Sequence, residues 1–102
     1  NKRAIKIILQ EDFEAFKSLC ENEEDVTALC FDEDKKNLSC PCVTYGKDND
    51  GFSQSARLFD ALRELDEMGA KKVYARCPET KGMGLAVYNR LIRAAGFKIK
   101  VI

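Results

Sequence analysis

Residues 71–102 read KKVYARCPETKGMGLAVYNRLIRAAGFKIKVI, a stretch with two strand patterns on either side of one helical pattern. The run 72–76 is short and partly β-branched, and Pro78 stops it, so it predicts a strand. Residues 97–102 alternate between apolar and basic side chains over most of their length, which predicts a final strand. A strand, a helix and another strand in succession favour parallel pairing within one sheet.

The helix between these two strands follows the turn Gly82-Met83-Gly84 and ends at Gly96. Its apolar residues recur at helical spacings, which predicts one buried face. That predicted face consists of Leu85, Tyr88, Leu91, Ile92 and Ala95.

The same alternation of strands and helices extends towards the N-terminus. Residues 4–9 and 26–31 are short apolar runs that predict buried strands. Between them, acidic residues open a helix, and residues 32–37 form a charged turn after the second strand. The apolar face predicted for the helix is Phe13, Phe16, Leu19 and Cys20.

A third strand is predicted within 38–45, where Pro41 interrupts the pattern. Because proline cannot donate to a ladder, it restricts part of this segment to an edge or a bulge. The link from the preceding strand is also short for a parallel crossover, which usually needs about a dozen residues. The pattern therefore leaves the conformation of 32–51 open.

A long helix is predicted after the turn-rich loop 46–51, with Ser53 or Ser55 as its N-cap and Gly69 at its C-terminal end. Its predicted apolar stripe is Phe52, Leu58, Phe59, Leu62, Leu65 and Met68.

Together these patterns predict one α/β domain over residues 1–102. We expect a Rossmann-like three-layer sandwich, in which a mostly parallel sheet of about five strands carries helices on both faces. No apolar run approaches the ~18 residues that a membrane span needs, and no signal-peptide pattern opens the chain. A cytoplasmic protein is therefore expected.

The charge is balanced overall but uneven along the chain. The 17 basic and 17 acidic side chains cancel, yet residues 71–102 carry eight basic side chains and one acidic side chain, a net charge of +7. Such a segment could favour an anionic partner, or oppositely charged faces of one domain could simply balance. No recognition-helix motif accompanies the basic segment, so direct nucleic-acid binding is not predicted.

The absence of histidine and the cysteine pattern exclude several kinds of site. Without histidine there is no Ser-His-Asp or Cys-His nucleophile and no imidazole zinc ligand. The close pair Cys40 and Cys42 lacks the Cys-x-x-Cys spacing of zinc and redox motifs, and no second pair completes a ligand set. We therefore expect reduced, mostly buried thiols, no metal and no catalytic residues. The remaining cysteines are Cys20, Cys30 and Cys77.

Two local motifs remain as candidate sites. Lys81, Gly82 and Gly84 could form an anion site, because a glycine-rich helix entry exposes backbone N–H groups. The alternative is that both glycines permit a tight turn and close packing of the helix. Asn89 and Arg90 in the last helix could serve a structural or interdomain contact. The segment 48–51 looks like a calcium loop but fails the ligand test, since Gly46 and Arg57 would occupy ligand positions.

The second half of the chain resembles a known family. The motifs are Leu58-Phe59 followed by Leu62-Arg63 and Asp66, then Gly82-Met83-Gly84, Asn89-Arg90-Leu91 and a small-residue helix end. They are similar to the C-terminal domain of the longer threonylcarbamoyladenylate synthases. The match covers about 52–98 closely, whereas the first half fits only in its order of elements.

The resemblance implies a two-domain enzyme. An N-terminal YrdC-like domain of that family uses ATP, with magnesium, together with L-threonine and bicarbonate, and it makes threonylcarbamoyl-AMP and pyrophosphate. The product feeds threonylcarbamoyladenosine formation in tRNA. The family's catalytic and substrate-binding residues lie in that domain and in the linker, so the resemblance implies an accessory domain without catalysis or a cofactor of its own. Its implied partner is the YrdC-like domain, and it would meet tRNA only indirectly.

Two functions therefore remain open at the level of sequence. In the first, the domain is a lid or docking module of a tRNA-modifying synthase. In the second, it is a free-standing Rossmann-like module that binds an anionic small molecule or a protein partner.

Overall fold

A computed structural model describes residues 6–94, in which parallel strands alternate with helices. In chain order the elements are β1 (Lys6–Gln10), α1 (Phe13–Asn22), β2 (Val26–Cys30), a 3₁₀ helix (Asp32–Asn37), β3 (Cys42–Thr44), α2 (Gly51–Glu67), β4 (Lys72–Arg76) and α3 (Met83–Ala94). None of the helices in this range is long and apolar enough to cross a membrane.

The four described strands form one sheet in the order β1-β4-β2-β3, and each neighbouring pair is parallel. Val73 of β4 is in register with Ile7 on one side and Thr27 on the other. The predicted parallel α/β sheet is thus confirmed. The predicted fifth strand, 97–102, lies outside the described residues, as do Ala95 and Gly96.

β3 is a short strand at the edge of the four described strands, in agreement with the prediction made from Pro41. Pro41 lies just before the strand, and its carbonyl accepts a hydrogen bond from the N–H of Ala28 at 2.8 Å. The N–H of Tyr45 continues the ladder to the carbonyl of Cys30 at 2.9 Å. The link 31–41 contains the 3₁₀ helix. It is long enough for a parallel crossover because β3 lies directly beside β2, so the chain moves by only one strand position.

Helices cover both faces of the sheet, as predicted. α1 packs on one face, where Phe16 and Cys20 join Ala28, Cys30 and Tyr74 in an apolar cluster. α2 and α3 pack on the other face and form the larger cluster. Its members include Leu9, Leu29, Val43, Leu58, Leu65, Val73, Val87 and Leu91. All five residues of β2 are buried, as expected for a central strand covered on both faces.

The caps of α2 differ in part from the prediction. Asp50, not Ser53 or Ser55, is the N-cap, and its carboxylate accepts the N–H of Ser53 at 3.2 Å. The helix ends as predicted at Gly69, which adopts φ +76°. Gly69 N–H donates to Asp66 and Ala70 N–H donates to Leu65, a Schellman pattern that satisfies the last carbonyls.

The predicted apolar stripe of α2 is only partly correct. Leu58 and Leu65 are buried and Leu62 is half-buried, but Phe52, Phe59 and Met68 are 74%, 67% and 48% exposed. Ala61 and Gln54 occupy the buried face instead. Gln54 tolerates burial because its amide donates to the carbonyl of Lys47 at 2.7 Å.

The predicted buried face of α3 is rotated relative to the observed one. Leu85 is 44% exposed, whereas Val87 and Leu91 are buried. Tyr88 and Ile92 are half-buried, so they flank this face. The helix is held in this rotation because Gly84, on the same side as Leu91, approaches the backbone of the preceding loop closely.

Candidate functional site

A polar cleft opens at the carboxyl ends of β1 and β4. After β1 the chain passes to α1 on one face, whereas after β4 it passes to α3 on the other face. Adjacent parallel strands that lead to opposite faces create the crevice in which α/β folds bind ligands. The cleft measures about 560 Å³. Its charged lining residues are Glu11, Asp48, Arg76, Glu79 and Lys81.

Arg76, the last residue of β4, organises the floor of this cleft. Its side chain is only 12% exposed, and its guanidinium lies 5.0 Å from the ring centroids of both Phe13 and Phe31. Its Nη2 donates to Asp48 Oδ2 at 3.3 Å. Its Nε lies 3.3 Å from Asp34 Oδ2 but has no hydrogen-bond partner among the described residues, so that contact is electrostatic.

Asp34 has two roles at this position. Its Oδ2 accepts the N–H of Phe31 at 3.0 Å, which caps the 3₁₀ helix, and it faces Arg76. Burial raises the pKa of the Asp34 carboxyl, although the Phe31 N–H and the Arg76 charge oppose that rise. The carboxylates of Asp34 and Asp48 therefore occupy the Arg76 guanidinium, which leaves little of its charge for a ligand.

The predicted anion-site residues lie at the side of the cleft where α3 begins. Gly82 adopts φ +59°, and a Cβ on Gly84 would lie 2.4 Å from the carbonyl oxygen of Glu79. The turn therefore requires a residue that accepts positive φ, and α3 requires a residue without a side chain at its second position. Both glycines thus have a structural reason, and anion binding at Lys81, Gly82 and Gly84 stays a prediction.

The electrostatics of the cleft do not favour an anion. Glu11, Asp48 and Glu79 contribute three carboxylates, against the cations Arg76 and Lys81. Because Arg76 is already paired with carboxylates, Lys81 is the lining cation that remains to bind an anion. In the described range, no group of three or more histidine, cysteine or carboxylate side chains is arranged to hold a metal ion.

Cys77 lines the same cleft and is half-buried. Burial, and next the charge of Glu11, raises the pKa of its thiol to about 11. A thiol with so high a pKa is mostly protonated near neutral pH and is a poor nucleophile. The cleft therefore offers no activated nucleophile at this position.

A second surface, formed by α2 and α3, carries most of the exposed large apolar side chains. Phe52 and Phe59 are seven residues apart on α2, so they lie on the same side of that helix. Met83 opens α3 and is 43% exposed, and a Cβ on Gly51 would lie 2.5 Å from Met83 Cβ. The beginnings of the two helices therefore touch. We call Phe52, Phe59, Met83 and Arg90 the α2–α3 surface.

The candidate residues Asn89 and Arg90 are both exposed on α3. The guanidinium of Arg90 lies 5.6 Å from the ring centroid of Phe59, which joins α3 to α2 across the surface. An arginine stacked on an exposed phenylalanine is a frequent composition of protein interfaces. Arg90 thus belongs to the α2–α3 surface and contacts neither the cleft nor the loop backbone through any described hydrogen bond.

The comparisons with known proteins agree with this fold. The sequence pattern of threonylcarbamoyl-AMP synthase, C-terminal domain, matches residues 3–96. The chain belongs to this family. The resemblance given by the glycine turn and by Asn89-Arg90-Leu91 is therefore confirmed.

Individual relatives support the same family. The threonylcarbamoyl-AMP synthase of Pyrococcus abyssi is 50% identical over 42 residues, which cover 41% of this chain and 12% of that protein. The structure of P. abyssi Sua5 complexed with L-threonine matches with a TM-score of 0.77 at 24% identity and covers 99% of this chain but 31% of that one. The C-terminal Sua5 domain of a hypothetical Sua5 protein from Pyrococcus horikoshii matches with a TM-score of 0.64 at 27% identity, over 100% of both chains.

Two functional features were missed at the level of sequence. Arg76 was seen only as the end of a strand, and Phe59 was assigned to the core. A basic residue at the carboxyl end of a predicted parallel strand could have indicated Arg76, because ligand crevices form there. Spacing alone does not separate Phe59 from the core face, because α2 carries apolar side chains on two sides.

Proposed function

We propose that the chain is the accessory domain of a cytoplasmic threonylcarbamoyl-AMP synthase and that it docks, through the α2–α3 surface, on the catalytic domain of the same polypeptide. Family membership over residues 3–96 supports the first part. The share of the P. abyssi Sua5 chain that this domain covers, 31%, supports a larger attached domain. The observation that carries the docking role is the exposed Phe59 with Arg90 stacked on it.

In this proposal the chemistry takes place entirely in the catalytic domain. ATP with magnesium, L-threonine and bicarbonate bind there, and this domain binds none of them. The product, threonylcarbamoyl-AMP, is consumed in tRNA modification, so this domain meets tRNA only through that product. The acidic lining of the cleft and the pairing of Arg76 with two carboxylates support the absence of a nucleotide site here.

The physical basis of docking is burial of apolar area around a stacked arginine. Phe52 and Phe59 are mostly exposed, so contact with a partner would remove a large apolar area of each ring from water. Exposed apolar patches rimmed by polar residues are typical of interaction sites. Arg63 and Asp60 pair at 3.1 Å beside Phe59 and supply such a rim.

The test uses the complete synthase with Phe59→Ser, assayed for threonylcarbamoyl-AMP formation. We expect kcat/KM to fall roughly tenfold, because an interface anchor commonly contributes more than 1 kcal/mol. The unfolding temperature of the separate domain should change little, since Phe59 is 67% exposed.

The matched control is Leu85→Ser, which also removes an exposed apolar side chain from α3. Leu85 follows Met83 by two residues and lies about 200° around the helix from it, outside the surface. Unchanged synthesis is expected for this variant. Equal activity of the Phe59 and Leu85 variants would refute docking through the α2–α3 surface and leave the family assignment untouched.

A further inference from the structure

Four of the five cysteines gather on the α1 face of the sheet. Cys20 of α1 and Cys30 of β2 are fully buried members of the apolar cluster there. Cys40 and Cys42, from the segment that leads into β3, are half-buried and pack against the same cluster. All of them are free thiols. Residues that are far apart in sequence thus bring a buried thiol next to a more accessible one.

The four thiols form one cluster, in which Cys42 interacts with Cys40 and each buried thiol interacts with a half-buried one. Cys20 interacts with Cys40 through its side chain, and Cys30 does so with Cys42. The Cys42 thiol also donates to the carbonyl oxygen of Cys40 at 3.2 Å. Among the described residues, no group of three or more histidine, cysteine or carboxylate side chains is arranged to hold a metal ion. The cysteines are therefore thiol pairs and not a tetrathiolate metal site.

The strand register determines which of the two pairs can form a disulfide. Cys42 is in register with Ala28, so Cys30 lies two residues further along β2. The strand spacing and the rise per residue put their Cα atoms roughly 8 Å apart. A disulfide needs Cα atoms within about 7 Å, and both residues are fixed in the ladder, so Cys30 and Cys42 cannot bridge without moving a strand.

No such restraint applies to Cys20 and Cys40. Cys20 lies on the last turns of α1, and Cys40 precedes β3 outside the ladder. We propose that Cys20 and Cys40 are an oxidisable pair, which hydrogen peroxide converts into a disulfide that links α1 to the segment before the edge strand. Cys40 is the residue that reacts first, because it is half-buried while Cys20 is 1% exposed.

The reaction is a two-electron oxidation in two steps. The Cys40 thiolate sulfur attacks one peroxide oxygen, an S–O bond forms, the O–O bond breaks, and the leaving hydroxide takes up a proton as water. The Cys20 thiol then loses its proton, a step that its raised pKa makes slow near neutral pH, and its sulfur attacks the Cys40 sulfenic sulfur. An S–S bond forms, and the hydroxyl leaves with that proton as water. Two thiols and one peroxide thus give one disulfide and two waters.

The test is peptide mapping of the full chain, reduced and then treated with hydrogen peroxide, with remaining thiols blocked by alkylation before digestion. We expect a linked peptide that contains Cys20 and Cys40, with Cys30 and Cys77 recovered as alkylated thiols. The cross-link should raise the Tm by on the order of 10 °C, since it closes a loop between residues 20 and 40. Treatment with a reductant should reverse the shift.

Two variants keep the result interpretable. Cys40→Ser should abolish both the linked peptide and the Tm shift, whereas Cys77→Ser, in the cleft, should retain both. Recovery of Cys40 as an alkylated thiol or a sulfinic acid after peroxide treatment would overturn the proposal. A link between Cys40 and Cys42, or any link that includes Cys30, would overturn it as well.

Discussion

Arg76 Nε lies 3.3 Å from Asp34 Oδ2, at the point where the end of β4 meets the 3₁₀ helix between β2 and β3. Both side chains are about nine-tenths buried, and the guanidinium lies 5.0 Å from the ring centroids of both Phe13 and Phe31. The pair thus connects the sheet to the irregular segment that precedes β3. Arg76 also lines the cleft, but the primary effect of the pair is to hold these elements together.

Replacing Arg76 should therefore destabilise the domain. We expect Arg76→Met to lower the free energy of unfolding by roughly 3–5 kcal/mol, because it leaves the buried carboxylate of Asp34 without its cation. Urea denaturation measures the loss. Arg63→Met is the matched control, since Arg63 pairs with Asp60 in solvent, with side chains 65% and 71% exposed. That change should cost less than about 1 kcal/mol, and equal losses for the two variants would disprove the structural role of Arg76.

The rotation of α3 leads to a test on two leucines. Leu91→Ala should cost roughly 2–5 kcal/mol, because Leu91 is fully buried in the larger apolar cluster. Leu85→Ala should cost less than about 1 kcal/mol, since Leu85 is 44% exposed. Thermal and urea unfolding of both variants measure the difference. A larger loss at Leu85 than at Leu91 would contradict the observed rotation.

The two glycines that open α3 should respond differently to substitution. Gly84→Ala is expected to cost roughly 1–3 kcal/mol, because its Cβ would lie 2.4 Å from the carbonyl oxygen of Glu79. Gly82→Asn should be close to neutral, since a side chain there meets open space and asparagine accepts φ near +59°. Melting temperatures of both variants provide the check. Similar losses at the two positions would show that the conformation of the turn, and not the close approach of Gly84 to Glu79, determines the cost of a side chain here.

The raised pKa of Cys77 makes the stability depend on alkaline pH. The thiol has a pKa of about 11 in the folded chain against an ordinary value of 9.0. Its contribution is therefore fully present below pH 9 and is lost as the pH rises towards about 11, because the unfolded chain loses the proton first. Cys77→Ala should reduce the loss between pH 8 and pH 10.5 by about 1 kcal/mol, a figure lowered because the thiol is half-exposed.

The measurement is urea unfolding at both pH values in the presence of a reductant. Burial also raises the pKa of Cys20 and Cys30, so part of the alkaline loss should remain in the variant. An identical pH dependence for wild type and variant would show that the Cys77 thiol does not titrate as described.

The pattern of strands and helices could be predicted from the sequence because each element carries a local signal. Alternating apolar runs, Gly69 and Pro78 marked β4 and the end of α2 correctly. Helix rotation was less predictable, because α2 has apolar side chains on two sides. Phe52 and Phe59 were assigned to the core by spacing, although Gln54 and Ala61 occupy it. A buried glutamine bonded to a loop carbonyl depends on tertiary structure, which local spacing does not contain.

The candidate site was predicted even less completely. The glycines at 82 and 84 were found from their motif, and the alternative of a tight turn with close packing describes the turn at Gly82 and the close approach at Gly84. The Arg76 pairing with Asp34 joins residues far apart in sequence, so no local pattern could reveal it. Arg90 was singled out as an interdomain or structural candidate, but its contact with Phe59 required the packing of α2 against α3.

The position of β4 between β1 and β2 has a consequence for synthesis of the domain. On a ribosome, the first two strands emerge long before the strand that joins them, because β4 begins only at Lys72. Until then β1 has no partner strand and β2 has only β3 beside it, so the edges of β1 and β2 that β4 will join are uncovered. Native folding is therefore delayed until most of the domain has been translated, and a chain interrupted before β4 would be a substrate for chaperones or proteases.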